Sequence, residues 1–186
     1  DKAESRILEI SNRGKNAEFT PISNILGNAV DMIQSLAENK GGLTGISTGF
    51  ADLDKLTSGL HPSDFIILAA RPSMGKTAFA LNVVQNVALR AHKKYKGKEP
   101  YSVAFFSLEM SKDQLVKRML AMNSHVDSQL IRTGNLKDDD WVKLIEGARE
   151  IGESKLILDD TPSISIAELR SKCRKFKLEH NLKMII

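Results

Sequence analysis

Ala70-Arg71-Pro72-Ser73-Met74-Gly75-Lys76-Thr77 is the stretch whose residue types and spacing point most directly to chemistry. It fits the phosphate-loop pattern G-x-x-x-x-G-K-[ST], with alanine at the first position. A strand-to-helix turn aims backbone N–H groups and a helix N-terminus at one point, and that point attracts anions. Gly75 lets the backbone approach a phosphate without a Cβ in the way. Lys76 can reach β- and γ-phosphate oxygens as a point charge. The Thr77 hydroxyl can occupy one position on Mg²⁺, whose remaining ligands would be phosphate and water. The alternative is a structural corner with an incidental Gly-Lys-Thr.

A second candidate is Glu109, in Ser107-Leu108-Glu109-Met110 directly after the apolar run Tyr101-Ser102-Val103-Ala104-Phe105-Phe106. A carboxylate at a strand's C-terminal end lies on the edge where a phosphate loop lies, and can orient or deprotonate the water that attacks a γ-phosphate. Such a site also needs an acid at another strand tip to hold the Mg²⁺ water shell. Asp159, after Leu156-Ile157-Leu158, is one candidate. The other would follow Met184-Ile185-Ile186, where the sequence stops before an acid.

The elements that must position these groups follow from periodicity. Phe65-Ile66-Ile67-Leu68-Ala69 is expected as the strand entering the phosphate loop, and Lys76 opens a helix to about Ala91 with Phe79, Val83, Val84, Val87 and Ala88 apolar. Two further strands are expected at 155–158 and 183–186. Strands alternating with helices call for an α/β fold with a mostly parallel sheet. Ser111 and Ser165 start helices by capping patterns, with Gln114 and Glu168 three residues on. Asp138–Ile151 reads as a helix with Trp141, Leu144, Ile145, Ala148 and Ile151 on one apolar face, so Trp141 is expected in the core. In the helix after Ser165, Ile166, Leu169, Cys173 and Phe176 are expected inward and Arg170, Lys172, Arg174, Lys175 and Lys177 mostly outward. Thr48 to Leu60 reads as a short helix closed by Gly59.

At the N-terminal end, 1–10 reads as the end of a helix and 11–19 as a linker. Ile22, Ile25, Leu26, Ala29, Val30, Ile33, Leu36 and Ala37 recur at helical steps, and Gly41-Gly42 stops that helix. Its stripe needs a surface, and periodicity alone favours its own domain over a neighbouring subunit.

The 186 residues suit one α/β domain with an appendage, and 41% hydrophobic residues suffice for its core. A net charge of +4 permits a nucleic-acid partner without demanding one. The basic segment Arg90–Lys98 is read as a solvated loop. Cys173, the single cysteine, excludes an intrachain disulfide and a Cys-based metal site. With no secretory signal and no apolar run near ~18 residues, a soluble cytoplasmic protein with no membrane association is expected.

Taken together, Thr48-Gly49-Phe50 with Leu53-Asp54, the phosphate loop through Ala80, Phe106-Ser107-Leu108-Glu109-Met110, Arg132-Thr133-Gly134 and Asp159-Asp160-Thr161-Pro162 resemble the DnaB-type bacterial and phage replicative DNA helicases. The likeness covers nearly the whole chain, and that family's phosphate loop also begins with Ala. The resemblance implies a RecA-like ATPase domain in a ring hexamer that uses ATP and Mg²⁺ to move 5′ to 3′ on single-stranded DNA. It implies Lys76 and Thr77 at phosphate and metal, and Glu109 as the water-activating carboxylate. It divides the chain into the tail of an N-terminal domain with a linker (1–20), a linker helix (21–42) and the first part of the ATPase domain (43–186). It reverses the default for Ile22–Ala37, which becomes a helix packed on the adjacent subunit. It also implies a primase and a helicase loader as partners, and it makes Asp159 structural rather than the metal acid. Because the metal acid, DNA loops and trans arginine are expected beyond Ile186, these residues alone are expected to bind nucleotide better than they hydrolyse it. The rival readings are another RecA-fold ATPase or phosphotransferase, and a non-catalytic assembly module.

Overall fold

The computed structural model describes residues 21–38, 43–90 and 101–186. The chain divides into two units, Asp1–Gly42 and Leu43–Ile186. The expectations for 1–19, Gly41-Gly42 and the segment after Arg90 fall wholly or mainly outside the described residues.

In the first unit, helix α1 spans Ile22–Glu38. Its stripe residues Ile22, Ile25, Leu26, Val30 and Ile33 are all exposed, so these positions of the apolar face find no cover among the described residues.

In the second unit, three parallel strands form a sheet in the order β2-β1-β3: β1 (Ser102–Phe106), β2 (Leu156–Asp159) and β3 (Leu182–Ile185). Parallel neighbours require crossovers. Helices α4 (Lys112–Ser124), α5 (Ser128–Thr133) and α6 (Asp138–Gly152) connect β1 to β2, and α7 (Ile166–His180) connects β2 to β3. Before them lie α2 (Ala51–Thr57) and α3 (Lys76–Gln85), the latter continued by a π-helical turn, Asn86–Arg90. Serines start α4 and α7 as their sequences predict: Ser111 Oγ accepts the Gln114 N–H at 3.4 Å and Ser165 Oγ the Glu168 N–H at 3.2 Å.

The core gathers Leu81, Val84, Val87 and Ala88 of α3 and its extension, Val103 and Phe105 of β1, and Leu115 and Met119 of α4. All but Phe105 are at most 1% exposed, so the helix that opens at Lys76 is anchored by its inner face. A second anchor comes from the loop before α2. Asp54, 6% exposed, accepts the Ser47 hydroxyl at 2.6 Å, the Thr48 hydroxyl at 2.7 Å and the Thr48 N–H at 2.8 Å. Asn86 then donates its amide to the Thr48 carbonyl at 2.9 Å, and Phe50 stacks on Phe79 with ring centroids 5.0 Å apart. Gly49 stands at φ +85°, where a Cβ would meet the Asn86 side chain at 2.2 Å. Only glycine fits there.

Three expectations are corrected. Residues 65–69 are not a strand: they carry no β pairing among the described residues, and Phe65 and Ile67 are 89% and 76% exposed. A strand exists through its ladder hydrogen bonds, and the described sheet offers this run no partner. Trp141 is not in the core but 53% exposed, and Ile145 and Ala148 are exposed with it. Helix α6 instead buries Leu144 and Gly147, with Ile151 packed against the core. Gly147 faces α4, where Asn123 donates to the Gly147 carbonyl at 3.4 Å and to Glu150 at 3.0 Å. The seam therefore runs through the smallest residue of the helix rather than the largest. In α7, Ile166 is exposed, while Lys172 turns to an acid at the end of β2.

Candidate active site

The chain from Arg71 to Thr77 makes two left-handed excursions. The Met74 N–H donates to the Arg71 carbonyl at 3.2 Å across Pro72-Ser73, with Ser73 at φ +65°. Proline at the second position and positive φ at the third are the marks of a type II turn. Gly75 follows at φ +89°, as the N-cap of α3. Among the described residues, its chain neighbours aside, no atom lies within 4 Å of where its Cβ would stand, so the backbone angle, not crowding, demands glycine.

The N-terminus of α3 differs from those of the other helices in its unit. Ser111 caps α4, Asp127 caps α5 and Ser165 caps α7, and acidic residues occupy the first turn of α2, α4, α6 and α7. Helix α3 has neither a side-chain cap nor an acid in its first turn. Its first intrahelical bond there is Phe79 N–H to the Gly75 carbonyl at 2.8 Å. The N–H groups before it have no intrahelical acceptor, and the helix dipole adds positive potential at the same end. Lys76 is exposed and Thr77 half-buried, with no hydrogen bond or ion pair from either side chain among the described residues. Backbone donors, an ammonium and a hydroxyl that the protein leaves unused fit a polyphosphate. A Mg²⁺ ion, which keeps phosphate and water as most of its ligands, asks only the Thr77 hydroxyl of this loop. Among the described residues no cluster of three or more His, Cys, Asp or Glu side chains could hold a metal by itself.

Glu109 is exposed in the turn after β1. That turn is tied at both ends. The Ser107 N–H donates to the Asp159 carbonyl at 2.8 Å, and the Met110 N–H to Ser107 Oγ at 3.0 Å. Further on, Lys112 donates its backbone N–H to Asp160 Oδ2 at 3.0 Å and its ammonium to Oδ1 at 2.9 Å. The hydrogen bonds from Lys112 hold the Asp160 carboxyl below its ordinary range. No hydrogen bond or ion pair joins Glu109 to Lys76 or Thr77 among the described residues. What links them is the core, where α3 packs against β1.

Asp159 ends β2 with both carboxylate oxygens in use. Oδ1 takes the Thr161 N–H at 2.9 Å, and Oδ2 takes the Lys172 ammonium at 2.8 Å. Lys172 also reaches Thr161 Oγ1 at 2.9 Å. Burial works to raise the Asp159 pKa, but the hydrogen bonds from Lys172 and Thr161 outweigh it and hold the carboxyl at about 2. A folded pKa below the unfolded value adds stability that is present above about pH 4 and lost as pH falls through about 2. Acid unfolding of Asp159→Asn should therefore show less dependence on pH between 4 and 2 than wild type, readable by circular dichroism.

Sequence reasoning quoted Asp54 and Asp160 only within motifs and gave neither a role, and it gave none to Asn86 or Lys112. Asp54 had a signal, an acid between Leu53 and Leu56 in a short helix, with Ser47 and Thr48 just upstream.

Residues 45–186 match the family described as the DnaB-like helicase C-terminal domain. The chain is 45% identical over 185 residues to the replicative DNA helicase DnaC of Bacillus subtilis (strain 168), and 45% identical over 186 residues to the replicative DNA helicase DnaB of Geobacillus stearothermophilus. Each alignment takes in 100% of this chain and 39% of the relative, so the chain spans about two fifths of their length. Among solved structures, one described as an ATPase domain superposes with a TM-score of 0.78 at 30% identity, over 90% of this chain and 56% of that one. A second, described as a DnaB-like replicative helicase and its interactions with primase, gives 0.72 at 30% identity over 98% of this chain and 42% of that one. The fold is thus that of the RecA-like ATPase domains of such helicases. By the match over residues 45–186, and by identity that runs along the whole chain, the protein belongs to the DnaB-like helicase family.

Proposed function

We propose that this chain supplies the nucleotide-binding half of an ATP-driven replicative helicase that moves 5′ to 3′ on single-stranded DNA. The observation that carries the reading is the α3 N-terminus, uncapped and free of acids, with Lys76 and Thr77 beside it making no side-chain hydrogen bond or ion pair among the described residues. On this reading the backbone from Arg71 to Gly75 and the first N–H groups of α3 cradle the β- and γ-phosphates, and Lys76 binds their oxygens. Thr77 would hold a Mg²⁺ ion, which when bound offsets phosphate charge. Glu109 accepts a proton from water as the water oxygen bonds to the γ-phosphorus and the bond to the β–γ bridging oxygen breaks, leaving ADP and phosphate. Asp159, with its oxygens committed to Lys172 and Thr161, stays structural.

Residues 1–20 would then be the tail of an N-terminal domain, 21–42 a linker and 43–186 the first part of the ATPase domain, working in the bacterial or phage-infected cytoplasm. Helix α1 is read as the element that joins neighbouring copies in a ring hexamer, since its stripe residues Ile22, Ile25, Leu26, Val30 and Ile33 are exposed among the described residues. The double substitution Leu26→Asp, Ile33→Asp in the full-length protein should break the ring into smaller species in sedimentation velocity; an unchanged sedimentation coefficient would remove α1 from the interface. Primase and a helicase loader are the partners this reading implies. A forked duplex whose 5′ tail is long enough to load on should be unwound with ATP, and the same duplex with that 5′ tail removed should not. Turnover without unwinding of either substrate would favour another RecA-fold ATPase.

A further inference from the structure

Glu109 is exposed and makes no hydrogen bond or ion pair among the described residues, so nothing but its backbone fixes where its carboxylate can go. That backbone is a four-residue turn between two anchors. The upstream anchor is β1, whose end is held by the Phe106 N–H to the Ile186 carbonyl at 2.7 Å and the Ser107 N–H to the Asp159 carbonyl at 2.8 Å. The downstream anchor is the start of α4, and there one residue gathers the contacts: both oxygens of Asp160 are taken by Lys112, from its backbone at 3.0 Å and its side chain at 2.9 Å. The Asp160 side chain is 26% exposed and that of Lys112 55%. Such an exposed pair adds little to stability, yet it crosslinks the two strand-end loops three residues from Glu109.

We propose that Asp160 is a positioning residue for Glu109, fixing the turn through Lys112 so that the carboxylate sits within reach of the attacking water. The proposal rests on the reading of Glu109 as the water-activating group. Misplacing a reacting group by about 1 Å can cost on the order of a hundredfold in rate. Asp160→Ala in the full-length protein should therefore lower kcat for ATP by about ten- to a hundredfold. KM, the affinity for a non-hydrolysable ATP analogue and the melting temperature should stay close to wild type. Asp160→Asn keeps an oxygen for the Lys112 N–H and should recover most of kcat, whereas Lys112→Met, which keeps the backbone bond, should lose less than Asp160→Ala. Glu109→Gln is measured beside them. If Glu109→Gln abolishes turnover while Asp160→Ala turns over like wild type, the positioning role is wrong and the reading of Glu109 stands. If Glu109→Gln turns over like wild type, that reading falls and the proposal with it. A loss of kcat in Asp160→Ala that comes with weaker analogue binding and a lower melting temperature, and that Asn does not rescue, also overturns it, since that is general destabilisation.

Discussion

Replacing Lys76 with alanine in the full-length protein should lower ATP turnover by about a hundred- to a thousandfold and weaken nucleotide binding, while the fold stays intact. The size follows from what the loop offers an anion. Backbone N–H groups and the α3 dipole remain in the variant, so some affinity for phosphate persists. On the proposed reading the point charge that follows the γ-phosphate as its bond breaks is lost, and removing one such donor from a transition-state site costs about this much. Stability should be indifferent, because Lys76 is exposed and its side chain makes no hydrogen bond or ion pair among the described residues. Turnover and nucleotide titration separate the two effects. A variant that binds and hydrolyses like wild type would remove the phosphate loop from the chemistry.

The largest effect on stability is expected at Asp54. Its carboxylate is buried and takes three hydrogen bonds from Ser47 and Thr48. Burial alone would raise its pKa, but those bonds win and lower it. Alanine strands the buried Thr48 N–H and hydroxyl and loosens the Thr48 carbonyl that Asn86 holds. A cost of about 2–3 kcal/mol follows from leaving buried donors unpaired beside a lost charge-assisted bond. For a domain of this size that is a fall of about 5–10 °C in melting temperature, measurable by calorimetry. Asparagine keeps one acceptor and should lose less. Because the folded pKa is depressed, Asp54 adds stability above its unfolded pKa and gives it up as the pH falls below that value.

The two residues show what a sequence can and cannot disclose. The phosphate loop is legible because its requirements are local: a positive φ at Gly75, an uncapped helix start, and a lysine and a hydroxyl in the first turn all lie within a few residues. The serine caps of α4 and α7 are local for the same reason. Asp54 carries its partners six and seven residues upstream in a loop that folds back on it, and the Lys112–Asp160 bond spans 48 positions. No period encodes such meetings: the first exists only once the loop before α2 folds back on Asp54, and the second only once β1 and β2 pair. The run at 65–69 has the composition of a buried strand, yet composition supplies side chains and not a neighbouring ladder. Trp141 failed for a related reason, since the side of α6 that is covered is set by where its neighbours lie, and that side carries Leu144 and Gly147.

The central claim is that Lys76, Thr77 and Glu109 serve one ATPase site coupled to DNA. ATP turnover by the full-length protein with and without single-stranded DNA, in wild type and in Glu109→Gln, tests it most directly. Wild type should be strongly stimulated by DNA, and Glu109→Gln should turn over at least about a hundredfold more slowly with ATP still bound. Turnover in wild type that ignores DNA, or a Glu109→Gln variant that hydrolyses ATP at the wild-type rate, would contradict it.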